Sequence, residues 1–437
     1  MEAGNAAPTN PWTGRAMTIM VMLFLFQTLN FFDKLVFGLS AVPLMQDLHI
    51  TPKEFGLVGS LFFSLYAVSG VAVGLVLTGR MRSKWLLLLL ALIWSAAQLP
   101  IYVTGSLAVL AACRILLGIG EGPGLPSALH AAYDWFPPAR RSLPSAVILQ
   151  GISAGFLIGG PFLTAIIVHY GWRSAFLVCG LLGVAWAVAW AALAREGPYA
   201  VPAPALLDAT RNVPVRALWL DRTVVGVILM STASYYVVGM AATWLPPYLQ
   251  LGLGNSQVTT GWLISAVFAL QSPLLLLGAW LCQSMQRRGI AARPSLGHTS
   301  TLALAAAGAA LLGAQMVGGT LQLVLIAVAF AAPSLTTVFG PVILSTIAPP
   351  AQRGRLIVVI YSGNSIAALV STYGTGWIVD AARPDMALGF NQAMTVAGLV
   401  LLAGALSCLA LVHPDETAVR FRRIAGLPAP PLQEATP

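Results

Sequence analysis

Stretches of about twenty apolar residues recur twelve times along this chain. They lie near 17–42, 55–79, 85–104, 107–132, 143–169, 172–194, 223–250, 258–282, 295–315, 319–347, 352–379 and 388–412. At about 1.5 Å per residue, a helix of that length crosses the hydrocarbon core of a bilayer. Backbone groups in hydrocarbon need partners within their own segment, and a helix supplies them. Composition points the same way: of 437 residues, 58% are hydrophobic and 8% charged, whereas a soluble domain carries roughly 25% charged residues. The expected fold class is an all-α membrane protein with twelve transmembrane helices. The proline-containing runs 107–132 and 319–347 are expected to bend or break. No small-residue cleavage site follows a short apolar core near the N-terminus, so the first run reads as a retained span.

The net charge of +9 forms no continuous basic face of the kind nucleic acid needs. The basic residues sit instead in short clusters between apolar runs. If both termini are cytoplasmic, the outer connections hold only Lys53, Arg173 and Arg383, Lys34 and Arg114 lie within spans, and the other 18 of the 23 Lys and Arg are inside. Such a bias toward one side fixes orientation, so a multi-pass inner-membrane protein with both termini in the cytoplasm is expected.

The longest polar connection, 195–222, divides the chain into bundles of six spans at 1–194 and 223–415, with a cytoplasmic tail at 416–437. FPPARRS at 136–142 is answered by APPAQRG at 348–354, and Gly151 and Ser153 by Gly363 and Ser365 at the same offset of 212 residues. Six spans per half give parallel repeats related by an axis along the membrane normal, with a central site between two rocking halves.

Four ionisable residues lie deep in spans: Asp33, Lys34, Arg114 and Glu121. Each costs about 2.5–3.5 kcal/mol at a helix centre, so such groups face a cavity or a partner and mark a transport route. Arg114 and Glu121, seven residues apart, share a helix face but stand about 10 Å apart along it, too far for direct contact. Asp33 and Lys34 point about 100° apart, so one can face a cavity while the other meets a second helix. The glycines of GIGEGPGLP, 118–126, allow another helix to approach closely. The spans of the second half offer only neutral groups, among them Tyr361 and Asn364. Carboxylates in such a place suit proton carriage, and an arginine fork suits a carboxylate.

NFFDK at 30–34, RILLGIGEGP at 114–123, WFPPARR at 135–141, GWRSAF at 171–176 and TWLPPYL at 243–249 together resemble the major facilitator superfamily. Within it they resemble the anion:cation symporter family of bacterial sugar-acid and organic-anion carriers, over nearly the whole chain. The resemblance implies two pseudo-symmetric six-helix bundles and symport of an organic anion with protons. It further implies Asp33 and Glu121 as proton sites, and Lys34, Tyr66 and Arg114 as anion ligands. Two positions depart from the pattern. Lys34 replaces an arginine, giving a point charge in place of a fork. The loop between spans two and three, from Gly74 to Arg82, lacks the usual acid, as does GAWLCQSMQRR after span eight.

Gln150, Tyr361 and Asn364 are further candidate substrate ligands. The cysteines 113, 179, 282 and 408 lack metal-site spacing and read as buried small residues. Trp85, Trp172, Trp219 and Trp244 stand near span ends, as an aromatic belt would. RFRRI, 420–424, begins a basic anchor. No nucleophile–base pair, metal cluster or cofactor motif is visible, so a transporter is expected and an enzyme is not. Its partners are a small organic anion, protons and the lipid bilayer, with the protein acting as a monomer. An exporter or exchanger of amphipathic compounds on the same scaffold is the alternative.

Overall fold

The computed structural model describes residues 14–73, 81–103, 105–137, 140–199 and 213–424. Among these residues, twelve helices are long and apolar enough to cross a membrane: α1 Gly14–Leu39, α2 Pro52–Ala72, α3 Ser83–Tyr102, α4 Leu107–Tyr133, α5 Leu143–Tyr170, α6 Trp172–Leu193, α7 Arg222–Thr243, α8 Gln257–Arg287, α9 Arg293–Gly313, α10 Gly319–Ile347, α11 Gln352–Ala381 and α12 Met386–Leu411. Each matches one of the twelve apolar runs.

The two expected breaks are present. α4 divides into Leu107–Glu121 and Gly124–Tyr133 at Gly122 and Pro123, and α10 into Gly319–Ala331 and Ser334–Ile347 at Pro333. Two further interruptions differ from expectation. α11 is broken at Asn364, directly after Gly363 and with no proline at the break. α7 ends at Thr243, and the prolines of TWLPPYL start a separate short turn, Leu245–Pro247.

The packing repeats between halves. α1 lies on α5 and α6, α2 on α4, and α3 on α6; in the same order α7 lies on α11 and α12, α8 on α10, and α9 on α12. The contacts between bundles obey the same symmetry, α2 meeting α11 and α8 meeting α5, with α1 against α7 on the axis. The fold is two pseudo-symmetric six-helix bundles.

The bundles approach most closely at the end away from the termini. A Cβ on Gly160 of α5 would stand 2.4 Å from the carbonyl oxygen of Gly261 of α8, so both backbones rely on the missing side chains. Gln257 Nε2 donates to Leu39 O at 2.8 Å across the same end, and Phe156 stacks on Phe268 nearer the middle, 3.5 Å between ring centroids.

The motif residues have local roles. Arg173 pairs with Asp47, and Trp172 Nε1 donates to the same carboxylate at 3.3 Å, fixing the helix Ala41–Asp47 to the start of α6. Arg141 donates to Phe136 O and Tyr133 O at 3.1 and 3.3 Å, closing the end of α4. Trp172 and Trp244 are therefore not belt residues: both are buried, and Trp244 Nε1 donates to Thr372 O of α11 at 2.7 Å. Trp85 is exposed, as a belt residue would be. The four cysteines are buried and free.

Candidate functional site

α1 carries polar side chains at 27, 30 and 34, a three- and four-residue spacing that puts them on one face. Lys34 reaches from this face to Glu121 of α4 and forms an ion pair with it, while Asn30, one turn back, accepts from the same ammonium. The Lys34 side chain is 13% exposed and that of Glu121 fully buried. The ammonium also lies 4.6 Å from the centroid of the Phe31 ring and 5.9 Å from that of Tyr66. Asp33, one position earlier, points elsewhere. Its Oδ1 accepts from Gln98 Nε2 of α3 at 2.8 Å. The two neighbours thus diverge as their 100° separation requires, but it is the lysine that finds the acid on α4.

Glycines set the depth of this pocket. A Cβ on Gly118 would stand 2.1 Å from Phe62 O, and one on Gly122 would stand 2.2 Å from Tyr66 O. Only glycine lets α4 lie this close to α2, and that closeness brings Glu121 and Tyr66 into the same layer.

Arg114 is 3% exposed and has no ion-pair partner among the described residues. Its guanidinium lies over Phe37 and Phe62, 4.3 and 5.0 Å from the ring centroids, and its Nε and Nη1 have no hydrogen-bond acceptor among the described residues. Aromatic faces hold the cation, but they leave in-plane N–H donors unsatisfied, at a cost of about 1–3 kcal/mol per buried group. A carboxylate reaching this guanidinium would supply the acceptors that these donors lack.

The second half contributes neutral groups. Tyr361 Oη donates to Thr336 O at 3.2 Å, and its ring lies edge-on to Tyr235, 6.1 Å between centroids. Thr232 Oγ1 donates to Asn364 Oδ1 at 3.2 Å, leaving the buried Asn364 Nδ2 without a partner. The turn of α2 after Tyr66 meets the turn of α11 after Tyr361, where a Cβ on Gly70 would lie 3.8 Å from Ser362 Oγ. Gln150 stands apart: it is exposed, one turn nearer the termini than Ser153, whose hydroxyl pairs with Ser272 of α8.

Sequence reasoning missed Asn30, Gln98 and Tyr235. Asn30 carried a signal, an amide four residues before a buried lysine. Gln98 is a lone amide late in an apolar helix, and its link to Asp33 spans 65 residues. The loop that departs from the superfamily pattern lies mostly outside the described residues. Beside it, Arg82 pairs with Glu196 at 3.4 Å, and Ser83 Oγ donates to Asp134 at 2.8 Å.

Among the described residues, twelve spans form two matched bundles, the first with a buried charge cluster, an arrangement that suits a membrane transporter. Residues 23–296 match the Major Facilitator Superfamily, and the chain belongs to that family. It is 28% identical to the hexuronate transporter of Bacillus subtilis (strain 168) over 238 residues, 53% of this chain and 56% of that one. To the probable L-galactonate transporter of Escherichia coli (strain K12) it is 24% identical over 418 residues, covering 91% of this chain and 89% of that one. In three dimensions it resembles a bacterial homologue of the human lysosomal transporter Spinster in an inward-facing, occupied conformation, with a TM-score of 0.77 and 18% identity over 94% of this chain and 98% of that one.

Proposed function

We propose that this transporter takes up a small organic anion, such as a sugar acid or another carboxylate, together with protons across the inner membrane. Arg114 is the observation that carries this proposal: a buried guanidinium with two orphaned donors, in a pocket whose other cation is already paired. The hexuronate and probable L-galactonate transporters among the relatives support an organic acid as cargo.

Asp33 and Glu121 are the proton sites, and Lys34 couples them to the anion. An ionised Glu121 holds Lys34; a proton on Glu121 frees the ammonium, which then joins Arg114 and Tyr66 on the carboxylate. Proton and anion therefore favour each other's binding, as linkage requires. Tyr361 and Asn364 meet the neutral part of the substrate from the second half, and Gln150 lies on its route toward the termini. The halves 1–194 and 223–415 rock about the site, with both termini in the cytoplasm, as the basic residues on that side support. The bundle ends in close contact then face outward.

Uptake of sugar acids, aromatic acids and dicarboxylates into proteoliposomes, with and without an inward proton gradient, tests this. Gradient-driven accumulation of one acid class is expected. Glu121→Gln should abolish accumulation and spare counterflow exchange, and unchanged accumulation would remove Glu121 from the proton path. No uptake of any acid by folded, inserted protein would favour the export of amphipathic compounds.

A further inference from the structure

A second basic site lies far from the transport pocket, where the second half meets the membrane surface on the side of the termini. After α12 the chain forms a surface helix, Pro414–Ile424, that folds back against the short helix Val215–Trp219 and the start of α7. Between them is a cavity of about 670 Å³ whose lining includes Arg216, Leu220, Arg222, Arg420, Phe421 and Ile424.

Three guanidiniums and one carboxylate, Asp221, line this cavity, which leaves an excess of positive charge. Arg420 pairs with Asp221, whose side chain is fully buried and also caps α7 by accepting from Thr223 N. Arg222 pairs with Glu416, which is 64% exposed and not part of the lining. Arg216 is exposed and has no ion-pair partner among the described residues. Its apolar lining is exposed at the rim: Leu220 is 68% exposed and Ile424 46%. Arg222 is the first residue of α7, so the cavity sits at the border of the hydrocarbon.

We infer that this cavity binds the headgroup of an anionic phospholipid. Arginine suits a phosphate, which it meets with two parallel N–H bonds. Basic pockets beside spans are sites for acidic headgroups. The exposed apolar rim has no use for a free ion, whereas it fits the glycerol and first acyl carbons of a lipid. The occupied site would tie the entry of α7 to the chain after α12, the two ends of the second bundle.

The test uses the purified full chain in neutral detergent, with dioctanoyl phosphatidylglycerol, dioctanoyl phosphatidylcholine or inorganic phosphate added, and reads binding by native mass spectrometry and melting temperature. Phosphatidylglycerol should bind and protect, and phosphatidylcholine should not. Arg216→Gln should weaken binding about fivefold and Arg216→Glu about thirtyfold, while Arg288→Glu, the same charge change away from the cavity, should leave it unaltered. Arg216 makes no ion pair, so its variants should melt as the parent does without lipid; if the glutamate variant does not fold, the glutamine variant gives the same comparison. Equal binding of the two lipids, or parental binding by both Arg216 variants, would overturn the inference. Equal protection by inorganic phosphate would make the cavity a simple anion site and overturn its assignment to lipid.

Discussion

The two bundles share one packing scheme and handle charge in opposite ways. At the centre of the first, α1 and α4 hold Asp33, Lys34, Arg114 and Glu121, all at most slightly exposed. At the centre of the second, α7, α10 and α11 hold only hydroxyls and an amide, joined by bonds such as Thr232 to Asn364 and Tyr361 to Thr336. Helix packing evidently does not require the charges, because the second half builds the same arrangement without them. On the proposed function they serve work done in one half, while the other supplies neutral contacts that tolerate rearrangement at little electrostatic cost.

Breaking this contrast at its charged side should have the largest effect. Arg114→Gln is expected to raise KM for the transported acid at least about a hundredfold, within the cost of removing one partner of a buried, hydrogen-bonded charge pair. It should also leave melting unchanged or raise it, because an unpaired buried cation is lost. A variant that transports normally would show that the anion is held elsewhere. On the neutral side the effect should be smaller. Asn364→Ala removes one uncharged donor and is expected to raise KM about tenfold, with the dependence on the proton gradient intact. If that dependence changes too, the second half also takes part in proton coupling.

The smallest effect concerns a carboxyl just outside α4. Burial raises Asp134 above the usual carboxylate range, against the hydrogen bond from Ser83. A raised acid holds its proton more tightly folded than unfolded. The stability this gives is present below the unfolded value near 4 and is lost as pH rises toward the folded one. Asp134→Asn has no such loss, so its melting temperature should gain on the parent by about 1–2 °C between pH 4 and 7. Parallel melting curves across that range would show that the shift has no bearing on folding.

The spans are legible in the sequence because a bilayer imposes a length and a polarity on each. The breaks in α4 and α10 are legible because Pro and Gly mark them. The break at Asn364 carries only a weak mark, Gly363 beside it with no proline, and a lone glycine is tolerated within a helix. Which residues form the charged cluster is legible from the cost of burying them, but not who pairs with whom. Lys34 and Glu121 are 87 residues apart, and Asp33 could equally have faced α4 had α1 been rotated. Trp244 was misread for a similar reason. Position near a span end suggests the membrane interface, but whether a ring points to lipid or to α11 depends on a helix of its own bundle 128 residues further along the chain.

Under the proposed symport, the buried quartet also sets the electrical behaviour of the carrier. With both acids ionised its charges cancel. A univalent anion entering with one proton keeps the moving assembly neutral, and the membrane voltage then does no work on it. With a second proton the assembly carries one positive charge, and each 100 mV, inside negative, drives it inward by about 2.3 kcal/mol. The slope of uptake against voltage thus counts the protons that travel with each anion.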